Sequence, residues 1–401
     1  MPVDSGKRFF SLLCRMKDFK EKACLCALNR IFGFEPKIAL ALISHLGSAS
    51  EVFRLSSREI DSLTGPYSRY RGLIVPKAME DSAIELERLS KEGISFCGWT
   101  EDTYPDLLRE CADAPIGLYV RSGTPAETLW KPARRIAIVG TRDISPYGRD
   151  WCEKTVIALS RCSEKPVIVS GLAIGTDICA HETALRCGLE TIGVMATGPE
   201  KVYPWRHRQA AERIAATDGC ALITDYPPDT APLAIHFLRR NRIIAGLSEA
   251  VILIESKKKG GGMMTARLAS SYNRDVYALP GRVDDLRSQG CNSLIREKTA
   301  EPYTSVEDLV DGLGFNSHPA QPKQDFEKML EARYGPETDS LKTMKALLHT
   351  VSRRRGATLE EIAGITGISY TTILQTAAML ETDGYIRIDL MQRCTLENMK
   401  R

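Results

Sequence analysis

The residues best suited to chemistry are glycine turns that follow short apolar runs, and the first such turn carries an arginine. Ile136-Ala137-Ile138-Val139 leads into Gly140-Thr141-Arg142. Val167-Ile168-Val169 leads into Ser170-Gly171-Leu172-Ala173-Ile174-Gly175-Thr176-Asp177. Val251-Ile252-Leu253-Ile254 leads towards Gly260-Gly261-Gly262. A glycine turn between a strand and a helix leaves backbone N–H groups bare at the helix N-terminus, which favours an anion and above all phosphate. Arg142, standing in such a turn, offers phosphate oxygens a bidentate fork; its competing use is a surface salt bridge between helices. Gly260-Gly261-Gly262-Met263-Met264-Thr265 is the richest anion nest: Lys257-Lys258-Lys259 precede it and Thr265 adds a hydroxyl. The GxxxxGK[ST] pattern of a Walker loop is absent.

Two further stretches carry positive charge. Lys201 precedes Tyr203-Pro204-Trp205-Arg206-His207-Arg208, where aromatic faces beside bases describe a platform for unpaired nucleobases and their backbone. A packed Tyr-Pro corner accounts equally well for Tyr203 and Pro204. Phe237-Leu238-Arg239-Arg240-Asn241-Arg242 opens an apolar helical segment. Cations near a helix start oppose the macrodipole, so the cluster calls for a bound polyanion or for carboxylates within the chain. Asp177 at a helix start reads as a capping acid. His181 follows one turn later, but no Ser or Cys nucleophile accompanies the pair, so structural support is the expected role and no catalytic residue is assigned.

The elements that must position these residues follow from the spacing. Runs at 136–139, 167–169, 191–195, 221–224, 251–254 and 275–279 alternate with helix-length segments. This predicts an α/β fold of βαβ units with a mainly parallel sheet. The near-continuous apolarity of the runs requires both faces to be covered, and right-handed crossovers then line the strand-end turns along one rim. Residues 1–125 read as a helical N-terminal domain. Its Phe32-Gly33-Phe34-Glu35 turn suggests a degenerate helix-hairpin-helix or a plain packing domain, and Ala114–Val120 suggests an extended connector. The core is expected over 126–312 and a Pro-containing linker over 313–340. At 341–401, helix, helix, Gly367 turn, helix and hairpin follow in the order of a winged helix. Its third helix shows Tyr370, Thr371, Thr372 and Gln375 but no Arg or Lys, which argues against direct reading of the major groove.

The bulk numbers are those of a soluble protein: 401 residues, 26% charged and 43% hydrophobic. A net charge of +3 does not itself imply nucleic acid; the placement of charge must. The 12 cysteines form no CxxC pair, which fits buried thiols in a reducing cytoplasm and no metal site. No membrane span or signal peptide is expected.

These motifs together resemble the DNA-processing protein A family (DprA, also called Smf). The resemblance runs from about Ile136 to Ala300. It is carried by Gly140-Thr141-Arg142, Ser170-Gly171-Leu172-Ala173 through Asp177, Thr191-Ile192-Gly193-Val194 through Tyr203-Pro204, and Asp225-Tyr226-Pro227. Arg240 through Ser248, Gly261 through Ala266, Ala278-Leu279-Pro280-Gly281 and Gly290-Cys291-Asn292-Ser293-Leu294-Ile295 complete it. The resemblance implies an extended Rossmann-like, doubly wound core with helical and winged-helix additions. It also implies a non-enzymatic, cofactor-free protein that binds single-stranded DNA, dimerises through the Rossmann domain and loads the recombinase RecA in natural transformation. Arg142 is then the DNA-contacting arginine, with Lys201 and Arg240 as further contacts. The chain departs from the family pattern at Ile174, at Ala196-Thr197-Gly198 and at Leu238; Arg206 and Arg208 can supply charge that Ile174 does not.

The expected DNA-binding set is therefore Gly140, Thr141, Arg142, Ser170, Gly171, Lys201, Arg206, Arg240, Asn241, Arg242, Gly261, Gly262 and Thr265. Two other readings stand beside it. One is a nucleotide-hydrolysing enzyme similar to the LOG phosphoribohydrolases, although Ala266-Arg267-Leu268 puts no carboxylate after the glycine loop. The other is an adaptor whose terminal domains bind proteins.

Overall fold

The computed structural model describes residues 4–65, 68–130 and 133–315, and in a second unit residues 330–388 (apart from 332, 336–337 and 354–356), 392 and 394–396. The two units are Met1–Ser317 and His318–Arg401. Of the expected linker over 313–340, residues 316–329 lie outside the described residues. Among the described residues no helix is long and apolar enough to cross a membrane.

The first unit is built on one nine-stranded sheet. In chain order its strands are β1 (Ile94–Gly98), β2 (Gly117–Arg121), β3 (Arg135–Val139), β4 (Val167–Ser170), β5 (Thr191–Val194), β6 (Ala221–Thr224), β7 (Ala250–Leu253), β8 (Asp275–Ala278) and β9 (Glu301–Pro302). Their spatial order is β1-β2-β6-β5-β4-β3-β7-β8-β9. All pairings from β6 to β9 are parallel, whereas β2 joins β6, and β1 joins β2, antiparallel. The chain winds outward from β3 through β4, β5 and β6, then returns to pair β7 on the other side of β3. Ala137 thus faces Val169 in one register and Val251 in the other. This reversal is a topological switch point, where doubly wound sheets open a crevice at the strand C-termini.

Strands β3–β7 are buried along their whole length because both faces are covered. Ile136 and Ile138 pack with Cys152, Val156, Cys179 and Ala180 on one face. Ala137 and Val139 pack with Ile243, Ile244, Met263 and Ala266 on the other. Helices Pro146–Leu159 and Thr176–Arg186 cover the first face, and Ala234–Leu247 and Gly261–Ser271 the second.

Residues before 125 are helical as expected up to Lys91, but β1 and β2 follow and extend the sheet. Phe96, Ile116 and Tyr119 from this hairpin share a core with Leu25, Leu28 and Phe32 of the first helix. Strand formation here depends on a partner distant in sequence, β6, which periodicity does not report. The Gly33 turn faces helix Ala234–Leu247: Arg239 donates to the Gly33 carbonyl at 2.8 Å, and its guanidinium lies 4.3 Å from the Phe34 ring centroid.

In the second unit, helices Asp339–Arg353, Leu359–Thr366 and Tyr370–Thr382 pack around Met344, Leu347, Ile362, Ile373 and Leu380. Thr358 and Glu361 form a capping box, and Gly367 ends the second helix at φ 69°. Ile386–Ile388 and Cys394–Leu396 pair antiparallel.

Candidate nucleic-acid interface

A cleft of about 800 Å³ opens at the switch point. Gly140, Thr141 and Arg142 line it from the end of β3, Ala173 and Asp177 from beyond β4, and Ser256, Lys257 and Lys259–Gly262 from beyond β7. Phe237, Arg240 and Asn241 contribute from helix Ala234–Leu247.

The three glycine turns differ in what already satisfies them. At the first, Ser145 caps helix Pro146–Leu159, its Oγ accepting from Gly148 N at 3.0 Å. The Glu255 carboxylate, 1% exposed, accepts from Ser145 N at 2.9 Å and from Ser145 Oγ at 2.5 Å. That helix end therefore holds an internal anion. At the second turn, Asp177 Oδ2 accepts from Gly171 N at 3.2 Å and Ala173 N at 3.3 Å. Burial pushes the Asp177 carboxyl pKa upward, opposed by the nearby Arg240 charge. At the third, helix Gly261–Ser271 begins after Gly260 with no side-chain cap. Helix Thr176–Arg186 at the second turn also lacks a side-chain cap, but its Thr176 amide donates to Thr141 O at 3.1 Å and its Ile178 amide to Ala173 O at 3.2 Å.

Two expected contacts fall with the second turn. Ser170 is fully buried and donates to Ile138 O at 2.6 Å, and the Gly171 N–H is spent on Asp177. Gly140 and Gly262 serve close packing: a Cβ on Gly262 would lie 3.2 Å from Gly140 Cα, and one on Gly140 would lie 2.4 Å from Thr176 Oγ1. Gly261 is exposed. Thr265 is 2% exposed and its hydroxyl donates to Gly261 O at 3.4 Å, so it braces the open turn from behind. Asn241 donates to the same carbonyl at 3.4 Å.

Of the expected cations, Arg142 is exposed, with its guanidinium 5.4 Å from the Phe237 ring centroid and no carboxylate partner among the described residues. Arg239–Arg242 do not open their helix, which starts at Ala234. They lie in its second and third turns, and the helix dipole places no demand on them. Arg242 is buried, ion-paired with Asp225 and bonded to the Asp113 carbonyl. This removes it from the DNA-binding set. Arg240 is 3% exposed; Nη1 donates to Gly171 O at 2.5 Å and to Val194 O, and Nε donates to Asn241 Oδ1 at 3.3 Å. Burial lowers its pKa to about 10, which leaves it charged at neutral pH. It is a brace in the cleft floor holding the ends of β4 and β5, and not a free phosphate arm.

Asp177 and His181 do not pair. His181 is fully buried, hydrogen-bonded through Nδ1 to Thr191 Oγ1 at 2.7 Å, and burial lowers its pKa to about 3.

A second groove of about 620 Å³ shares Tyr203 and Pro232 with the first. Lys201, Trp205 and Arg208 line it together with Glu92, Glu200 and Glu212. Trp205 is 69% exposed and Tyr203 48%. The Arg208 guanidinium lies 4.7 Å from the Trp205 ring centroid and pairs with Glu212 at 2.7 Å. Lys201 and Arg206 are exposed. His207 is buried and bonds the Leu172 carbonyl at 2.8 Å, which ties this aromatic loop to the second turn.

Residues 95–314 match the family model described as DNA recombination-mediator protein A. The chain belongs to that family. Among its relatives, the DNA processing protein DprA of Streptococcus pneumoniae is 38% identical over 229 residues, covering 57% of this chain and 78% of that protein. Protein Smf of Synechocystis is 37% identical over 229 residues, and the match spans 56% of its length. An X-ray structure of DprA from Streptococcus pneumoniae superposes with a TM-score of 0.58 at 31% identity, covering 74% of this chain and 97% of that one. The DNA recombination-mediator protein A match therefore includes all but the first residue of β1, together with β2 and all of the parallel sheet, so the switch-point cleft lies wholly within it.

Sequence reasoning missed Glu255, Ser145 and the Arg287–Asp143 pair described below. An acid directly after a buried apolar strand was the available sign of Glu255, because a carboxylate there must find donors or stay solvated.

Proposed function

We propose that the chain is a non-enzymatic DNA-processing protein that binds single-stranded DNA through its backbone at the switch-point cleft. In this reading it protects incoming DNA and loads a RecA-type recombinase in the cytoplasm, as a homodimer formed through the Rossmann-like unit. The carrying observation is one cleft that combines an uncapped helix N-terminus at Gly260–Gly262 with Arg142, exposed and without a carboxylate partner among the described residues, and exposed Lys257 and Lys259. Backbone N–H groups and free cations meet phosphate without reading sequence. The exposed Tyr203 and Trp205 beside it supply faces for unpaired bases. In the second unit the third helix exposes Tyr370, Leu374 and Met379, which supports a winged helix that meets a protein partner.

The test is fluorescence anisotropy of the full chain with single- and double-stranded oligonucleotides, titrated with salt. Single-strand affinity is expected to fall with a log–log slope of roughly −0.7 per phosphate neutralised. Arg142→Ala is expected to weaken binding to all sequences alike. Single-strand affinity unchanged by that substitution at low and high salt would sink the assignment.

The phosphoribohydrolase reading is disfavoured by where the acids of the cleft point. Of the acids that line the cleft, Asp177 accepts from the Gly171 and Ala173 amides and Asp143 is ion-paired with Arg287. Release of free base from nucleotides by the purified chain, lost in a Thr265→Ala variant, would revive it.

A further inference from the structure

The DNA-contacting role of Arg142 raises an electrostatic difficulty. Its neighbour in sequence, Asp143, carries a carboxylate whose side chain is 72% exposed. A free carboxylate one residue away would compete for the guanidinium and repel an approaching phosphate. Arg287, far along the chain, meets that carboxylate. Its Nη2 lies 2.7 Å from Asp143 Oδ2, and its Nε donates to the Asp143 carbonyl at 3.0 Å. Arg287 is itself fixed: its carbonyl accepts from Ser256 N at 2.7 Å, and its amide donates to Asp285 Oδ1 at 2.9 Å. The Asp143 amide donates to Thr141 Oγ1 at 3.1 Å. Asp143 is thus held from both sides, and Arg142 is left without a carboxylate partner among the described residues.

We infer that Arg287 is a positioning residue for DNA binding: by holding Asp143 through its side chain and its carbonyl, it keeps Arg142 free for phosphate. The inference rests on the reading that Arg142 meets DNA. Arg287 need not touch the strand. Its backbone is tethered to Ser256, at the end of β7, so the charge that neutralises Asp143 comes from the opposite wall of the switch point. The nearby Asp285 keeps its bond to the Arg287 amide whatever side chain stands at 287, and only its looser 4.0 Å ion pair with Arg287 Nη1 goes with the guanidinium.

The experiment measures single-strand affinity of the full chain at low salt for wild type, R142A, R287A, R287K, D143A and the R287A/D143A double variant. R287A is expected to lose about 3- to 10-fold, the scale of a rim charge, and the loss should shrink as salt screens the exposed groups. R287K should recover part of it. D143A should bind at least as tightly as wild type. The double variant should return to within about 2-fold of D143A, because no unneutralised carboxylate remains beside Arg142. A double variant as weak as R287A would overturn the inference, since a direct DNA contact or a merely structural tether predicts no rescue. Wild-type affinity in R287A would overturn it too. If R142A itself lost nothing, the DNA reading of the cleft would fall, and the inference with it.

Discussion

Glu255 stands at the N-terminus of helix Pro146–Leu159 in the position of an anion ligand, its carboxylate accepting from both the amide and the hydroxyl of Ser145. The first turn of the sheet rim is therefore closed by an acid of the fold, and its arginine acts without the helix end behind it. Glu255→Ala should leave the Ser145 donors unpaired and lower unfolding free energy by about 1–3 kcal/mol. Urea denaturation followed by circular dichroism checks the loss. An unchanged denaturation midpoint would mean that solvent or another group satisfies Ser145.

Arg142 and Arg242 should separate affinity from stability. Arg142→Ala removes an exposed charge and should weaken single-strand binding while leaving stability within about 0.5 kcal/mol of wild type. Arg242→Ala strands the buried Asp225 carboxylate and should cost about 3–5 kcal/mol of stability. Affinity per folded molecule should stay near wild type in that variant. Paired denaturation and anisotropy measurements distinguish the two, and a large affinity loss in folded Arg242→Ala protein would return that residue to the DNA-binding set.

The six parallel strands β3–β8 were legible because buried strands of a covered sheet are apolar runs, and each run ends in a turn. β1 and β2 were not, since what makes Gly117–Arg121 a strand is its pairing with β6, about a hundred residues away. The site divides the same way. The exposure of Arg142 and the missing side-chain cap at Gly260 follow from local sequence, a cation in a turn and glycines without a capping side chain. Ser170, Gly171 and Arg242 were misread because their partners are set by the fold: Ile138 for Ser170, Asp177 for Gly171, and Asp225 for Arg242. Arg240 looked like Arg239 in sequence and differs only in facing Gly171 and Val194.

Adjacent glycines of the open turn should respond in opposite ways. A Cβ on Gly261 meets nothing within 4 Å, so Gly261→Ala should keep or slightly raise stability through helix propensity. It places a methyl where phosphate approaches the amides, and affinity should drop several-fold. A Cβ on Gly262 lies 2.7 Å from Leu253 Cδ1 and 3.2 Å from Gly140 Cα, and Gly262→Ala should cost about 1–3 kcal/mol of stability. Thermal unfolding and single-strand titration of both variants read this contrast. Equal affinity of Gly261→Ala and wild type would remove the turn from the DNA path.

His181 should give the fold an acid sensitivity independent of its DNA site. Burial holds its pKa near about 3 in the folded protein, against an ordinary value of 6.5. Between those values the unfolded chain binds a proton that the folded chain refuses, so stability falls as pH drops through this window. From pH 6.5 to pH 5 the contribution is about 1.6 kcal/mol, because the slope rises from half to nearly all of 1.36 kcal/mol per pH unit. Unfolding free energy measured at both pH values for wild type and His181→Asn should show a steeper decline in wild type. Parallel declines would mean that other groups carry the acid sensitivity and that His181 is protonated alike in both states.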